Sequence, residues 1–251
     1  MKRSAALFVC LLSIAGTAFG QTQRSTRPAP TARSSAPVDL TGYWVSVVTE
    51  DWAWRMRTPP KGDYASIPLN EAGKRAADTW TEAQDGSCLA FGAPAMLRMP
   101  TRAHITWQDD QTLKLETDNG VQTRLLHFGP AAANLPVAPS LQGTSHAAWQ
   151  IPNQVTDRGE DTGRKSDDDW APLKVGTTNL SPGWLRPNGV PYSANAMLTE
   201  YFDEFADGDD TWFVVTTIVD DPVYLTEPLV ISSNFKREAN GAKWAPRPCK
   251  G

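Results

Sequence analysis

Beyond about residue 100 the chain is dominated by short stretches in which apolar and polar residues alternate, the period-two pattern of half-buried strands. The segments His104–Trp107, Thr112–Thr117, Val121–Phe128, Ser145–Ile151, Leu173–Thr178, Ala196–Phe205, Thr211–Asp220 and Pro228–Lys236 all read this way. Tyr43 to Thr49, β-branched and aromatic, predicts an earlier strand. One segment has helical character instead. Leu69 to Glu82 carries Ala72, Ala76, Ala77 and Trp80 as a modest stripe, with Asn70 placed to cap it and Gly86 beyond its end. About nine strands with one short helix after the first strand predict a mainly β fold, an antiparallel barrel or a strongly curved sheet, because closure removes exposed sheet edges.

Turn chemistry sets a register. Asn119-Gly120 between two alternating segments predicts a tight hairpin that pairs Asp118 with Val121, Leu115 with Arg124 and Leu113 with Leu126. The more apolar face then holds Leu113, Leu115, Thr117, Gln122, Arg124, Leu126 and Phe128 and should point inward. If Trp107 pairs with Thr112 in the preceding hairpin, His104 lies opposite Leu115, and His104 and Arg124 flank it in one interior row. A slip of one residue would send His104 to the outer face. An interior Arg124 needs compensation, either from an acidic core residue such as Glu200 or from an anionic or carbonyl-bearing ligand that it anchors.

Asp51-Trp52-Ala53-Trp54-Arg55-Met56-Arg57 puts Trp52 and Trp54 on one face at strand spacing, with Asp51, Arg55 and Arg57 interleaved. Two readings follow: barrel packing beside a surface ion pair, or aromatic stacking of a ligand at a cavity mouth. Lys61-Gly62-Asp63-Tyr64 could form a lid, and Asp63 and Tyr64 are candidate acid/base groups beside the turn-forming role such residues usually have. Glu200, Asp203 and Glu204 lie on a strand with two mixed faces, and no cleft-spanning carboxylate pair is defined. The charged stretch Asp157 to Asp169 reads as an exposed loop whose acidic run lacks EF-hand spacing, and His127 and His146 lack zinc-ligand spacing. There is no Gly-x-Ser-x-Gly elbow and no glycine-rich phosphate loop. No metal or cofactor is therefore expected.

Composition narrows the setting. Met1 to Gly20, with Lys2 and Arg3 ahead of the apolar run Ala5 to Ile14 and the sequence Ala18-Phe19-Gly20, predicts a cleaved secretory signal. Gln21 to Val38 reads as a flexible spacer and residues 39–251 as a single β-barrel domain, secreted or periplasmic. No segment has the roughly 18 apolar residues that a spanning helix requires. Of 24 Lys+Arg residues, 22 remain after cleavage against 28 Asp+Glu, a net charge of −6 that argues against a nucleic-acid partner. Cleavage also removes Cys10 and leaves Cys88 and Cys249, which predict one disulfide in an oxidising compartment.

Gly42 and Trp44 at the start of the first strand resemble the Gly-x-Trp opening of lipocalins, with Arg237 near the position of their late arginine. The lipocalins' Thr-Asp-Tyr turn is absent. That resemblance implies a lipocalin-like barrel with Trp44 plugging its closed end. Gly62-Asp63-Tyr64, Pro68-Leu69-Asn70 and Asp221 to Pro228 look like a recurrent group of exported bacterial proteins, which implies a secreted β-barrel and carries over no catalytic residue. The expected function is binding of a small, largely apolar or aromatic molecule, with Trp52, Trp54, Arg55, Trp107 and Arg124 as ligand contacts. An enzyme on the same barrel, an isomerase, cyclase or lyase using His104, Asp63, Tyr64 or Glu200 for proton transfer, is the alternative. An envelope interaction protein is the third.

Overall fold

A computed structural model describes residues 30–129, 138–150 and 172–251. The signal segment, the first part of the spacer and the loop 157–169 lie outside the described residues. Strands run in the order β1 (Gly42–Val47), β2 (Arg102–Asp109), β3 (Thr112–Thr117), β4 (Asn119–Gly120), β5 (Thr123–Phe128), β6 (Thr144–Trp149) and β7 (Leu173–Thr178). Then come β8 (Gly183–Arg186), β9 (Val190–Tyr192), β10 (Met197–Asp207), β11 (Asp210–Asp220), β12 (Leu229–Glu238) and β13 (Arg247–Pro248). Nine of them close a barrel in the order β1-β12-β11-β10-β7-β6-β5-β3-β2.

The barrel differs from the expected one at two places. One seam, β5 with β6, is parallel, with Leu126 opposite Ser145 and Phe128 opposite Ala147. Parallel neighbours need a long connection rather than a tight turn, and 15 residues separate the end of β5 at Phe128 from the start of β6 at Thr144. Wholly antiparallel closure is thus corrected. Secondly, the single expected helix is one of three short ones before β2: α1 (Trp52–Arg55), α2 (Glu71–Ala77) and α3 (Ala93–Met96), with two 3-10 turns between α2 and α3. The predicted helix is α2, and Asn70 caps it as expected by accepting from the Gly73 amide.

Inward positions along the long strands fall into three layers. On β10 they read Leu198, Glu200, Phe202, and on β11 Val219, Thr217, Val215. Phe202, Val215, Phe213, Phe235 and Trp44 belong to a core that fills the lower barrel. Trp44 meets Phe213 edge-on at 4.8 Å, and Phe213 stacks on Phe235 at 4.7 Å. The Arg237 guanidinium lies 4.3 Å from the Trp44 ring centroid and donates to the Thr41 carbonyl. Leu198, Val219 and Leu229 belong to a second core under a cap built from α2, α3 and the β8–β9 hairpin. Between the two cores lie buried polar side chains: Arg124, Ser145, Thr177, Glu200, Thr217 and Ser233.

Two further contacts fix the ends. Cys88 and Cys249 form the expected disulfide, bridging 161 positions of sequence and tying the tail strand β13 to the cap. Chain-entropy arguments value such a loop closure at about 3–5 kcal/mol. At the opposite end the packed region starts before Asp39: Ala32 is buried, and its carbonyl accepts from the Trp149 indole. The two segments that carry the second resemblance also meet. Asn70 donates to the Val223 carbonyl, Thr226 donates to that of Pro68, and Leu69 bridges Leu225.

Candidate functional site

The predicted β3–β5 register holds, with Leu115 opposite Arg124 and Leu113 opposite Leu126. Arg124 therefore points into the barrel, and there it meets Glu200. Its Nη2 lies 2.5 Å from Glu200 Oε2 and 2.7 Å from Thr177 Oγ1, while Nε donates to Ser145 Oγ at 3.0 Å. Both side chains are buried to within 1%. Of the two compensations considered from sequence, an internal carboxylate and a ligand, the carboxylate is present. One guanidinium nitrogen, Nη1, and Glu200 Oε1 keep no partner among the described residues.

His104 is displaced from that row. A bulge between Trp107 and Asp109 shifts the β2–β3 pairing by one residue, so Trp107 faces Leu113 and His104 faces Glu116. Because side chains alternate along a strand, the shift places His104 on the outer face. It stacks on Tyr43 at 4.0 Å, and its Nδ1 lies 3.6 Å from Glu116. The expectation that His104 joins Arg124 inside is corrected. Trp107 does point inward, but it packs on Phe128 and lines a groove with Arg33, Val38 and Asp39 at the barrel's lower end.

The segment after β1 forms a different site from the one its spacing suggests. Asp51, in a left-handed conformation at φ 52°, turns the chain into α1, so Trp52 and Trp54 no longer share a face. Trp52 is 67% exposed. Trp54 instead lines a cleft at the barrel mouth, between the rim of β12 and the cap, together with Ile67, Met99, Leu185, Leu229 and Ile231. Ile231 pairs with Thr217, and Thr217 with Glu200, so the inner wall of this cleft shares a row of the sheet with the buried polar layer.

Three arginines line the same cleft: Arg55, Arg98 and Arg186. Arg98 is held on both sides, 2.7 Å from Glu50 and 2.5 Å from Asp51. Arg55 is buried, donates to Glu50 at 2.8 Å and to the Arg98 carbonyl, and its buried Nη2 has no partner among the described residues. Burial, with neighbouring Arg98, pulls its guanidinium down to about 10 against the attraction of Glu50 and Asp51. Arg186 is 8% exposed, and among the described residues it forms no ion pair and its buried Nη1 has no hydrogen-bond partner. Burial holds it too below the usual range, while Asp51 and Asp63 act on it from beyond bonding distance. Its guanidinium packs 5.5 Å from the Trp54 ring centroid.

The proposed lid is a buttress in this structure. Asp63 accepts from the Trp54 indole at 2.8 Å and so fixes the ring that faces Arg186. Asn188 donates to the carbonyls of Pro60 and Asp63, tying this loop to the cap. Tyr64 turns away to donate to Asp78, and burial together with that bond pushes its hydroxyl up to about 12. Of the sequence candidates, Trp54, Arg55 and Asp63 thus converge, Arg124 and Glu200 form a separate buried pair, and His104, Tyr64, Trp52 and Trp107 lie elsewhere. Arg98 and Arg186 were not among the candidates. The signal available for Arg186 was a basic residue enclosed by Trp184, Leu185 and Pro187.

Comparison of the chain with family models, with curated proteins and with solved structures returns no match.

Proposed function

We propose that this chain is an exported, lipocalin-like barrel that binds a small, largely apolar or aromatic molecule at the mouth of the barrel. The observation that carries the reading is the mouth cleft, where apolar walls from the rim and cap surround the buried Arg186 guanidinium, whose Nη1 has no hydrogen-bond partner among the described residues. Apolar enclosure with a few convergent polar groups is the usual make-up of a small-molecule site, and since the cleft encloses only about 30 Å³ here, a ligand enters it by parting the cap from the β12 rim. The lower barrel interior is filled by Trp44, Phe202, Phe213 and Phe235, which supports a site toward the mouth rather than deep in the barrel. The Trp44–Arg237 stack supports the lipocalin-like reading, and the Cys88–Cys249 disulfide supports an oxidising, extracytoplasmic setting. Among the described residues no helix is long and apolar enough to cross a membrane.

The test is mass spectrometry of solvent extracts from freshly purified, denatured protein, run beside a Met99→Trp variant whose larger side chain fills the cleft. The wild-type extract should contain a small apolar molecule that the variant lacks. Matching extracts, or empty ones from both, count against binding in this cleft.

A further inference from the structure

We infer that the mouth cleft takes a monocarboxylate with an aromatic or branched apolar body, its carboxylate held by Arg186 with the free Nη2 of Arg55 as a second donor. The inference rests on the cleft-binding reading above and adds the ligand's charge.

Three buried arginines make the contrast that supports it: Arg55, Arg124 and Arg186. Arg124 faces Glu200, and Arg55 faces Glu50. Arg186 faces no carboxylate within ion-pairing distance among the described residues, and its buried Nη1 has no acceptor. A guanidinium removed from water without a bonded counter-ion is unfavourable, so such an arrangement persists where an acceptor beyond the described residues completes it. A carboxylate matches the planar fork of arginine through two parallel hydrogen bonds. The stack on Trp54, itself held by Asp63, orients that fork.

The surroundings limit the ligand's charge and shape. Glu50 and Asp51 pair with Arg55 and Arg98 and leave Arg186 as the one cleft guanidinium without a bonded carboxylate among the described residues, so the cleft has little surplus positive charge for a multiply charged phosphate. A single negative charge suits one unpaired guanidinium. Ile67, Met99, Leu229 and Ile231 then cover the remainder of the molecule, which must be apolar.

Benzoate and its neutral isostere benzamide separate these claims, with the nitrogen-15 NMR signal of the Trp54 indole as the report from the cleft. Benzoate should shift that signal in the wild-type protein and bind at least tenfold more tightly than benzamide. Arg186→Met should weaken benzoate at least tenfold and leave benzamide unchanged, and Arg186→Lys should recover part of the loss. Equal affinities for benzoate and benzamide in the wild-type protein would overturn the carboxylate assignment while leaving apolar binding in the cleft intact. So would a benzoate affinity indifferent to Arg186→Met. A Trp54 signal unmoved by either probe would overturn both this assignment and the cleft-binding reading.

Discussion

Arg124 and Arg186 are both buried guanidinium groups, and the difference between them separates the molecule's scaffold from its candidate site. Arg124 lies within the barrel between two apolar cores, bonded to Glu200, Thr177 and Ser145. Arg186 lies under the cap at the mouth, against the face of Trp54, with no bonded acceptor among the described residues. The first charge is neutralised by the chain itself. The second has no bonded carboxylate among the described residues. A buried charge therefore identifies a site only when its compensation is missing.

The strongest way to break this contrast is to unbalance the inner pair. Arg124→Met leaves Glu200 buried and alone, and should cost about 3–5 kcal/mol of stability, measured by denaturant unfolding. Arg124→Met with Glu200→Leu should restore most of that loss, since apolar replacement of both partners is near neutral. A mild single variant would mean that the pair does not stabilise the barrel as described.

The Glu50 clamp offers a middle case, paired but partly open to water. Burial raises the Glu50 carboxyl, but its bond from Thr49 and the nearby Arg98 and Arg55 outweigh that and hold it below the ordinary value of 4.5. A carboxyl lowered in the folded state stabilises the protein above its unfolded value, and that contribution is lost as pH falls through the folded one. Stability should therefore drop as the pH falls below about 4.5, and Glu50→Gln should flatten that part of the pH–stability curve. An unchanged acid limb in the variant would count against the clamp.

The smallest effect belongs to His104. Replacing it by Phe keeps a ring stacked on Tyr43 and removes only a surface contact with Glu116, so benzoate affinity should stay within about twofold and stability within about 0.5 kcal/mol. A large loss of binding would return His104 to the site.

That residue also shows where reading the sequence stopped. The two-residue turn at Asn119-Gly120 fixed the β3–β5 register, and apolar alternation in Thr112–Thr117 and Thr123–Phe128 then gave the inward direction of Arg124. The β2–β3 register depended on one extra residue at the turn, and the bulge between Trp107 and Asp109 has no period of its own to announce it. One residue moved His104 through the wall. The spacing of Trp52 and Trp54 misled for a related reason, because a left-handed Asp51 starts a helix where alternation suggests a strand. Arg186 escaped notice because Pro182, Pro187 and Pro191 interrupt any pattern around it, and its neighbours Trp54 and Asp63 are distant in sequence. The parallel seam was hidden by the same limit, since alternation gives a strand's faces but not its partner or direction.

Thermal unfolding of the ligand-free Arg186→Met variant, beside wild type and Arg124→Met, tests the contrast most directly. Removing an uncompensated buried charge while keeping an apolar stem should leave the midpoint at or above that of wild type, and benzoate should raise the midpoints of wild type and Arg124→Met but not that of Arg186→Met. A midpoint for Arg186→Met as low as that of Arg124→Met would contradict the account, because Arg186 would then be part of the scaffold.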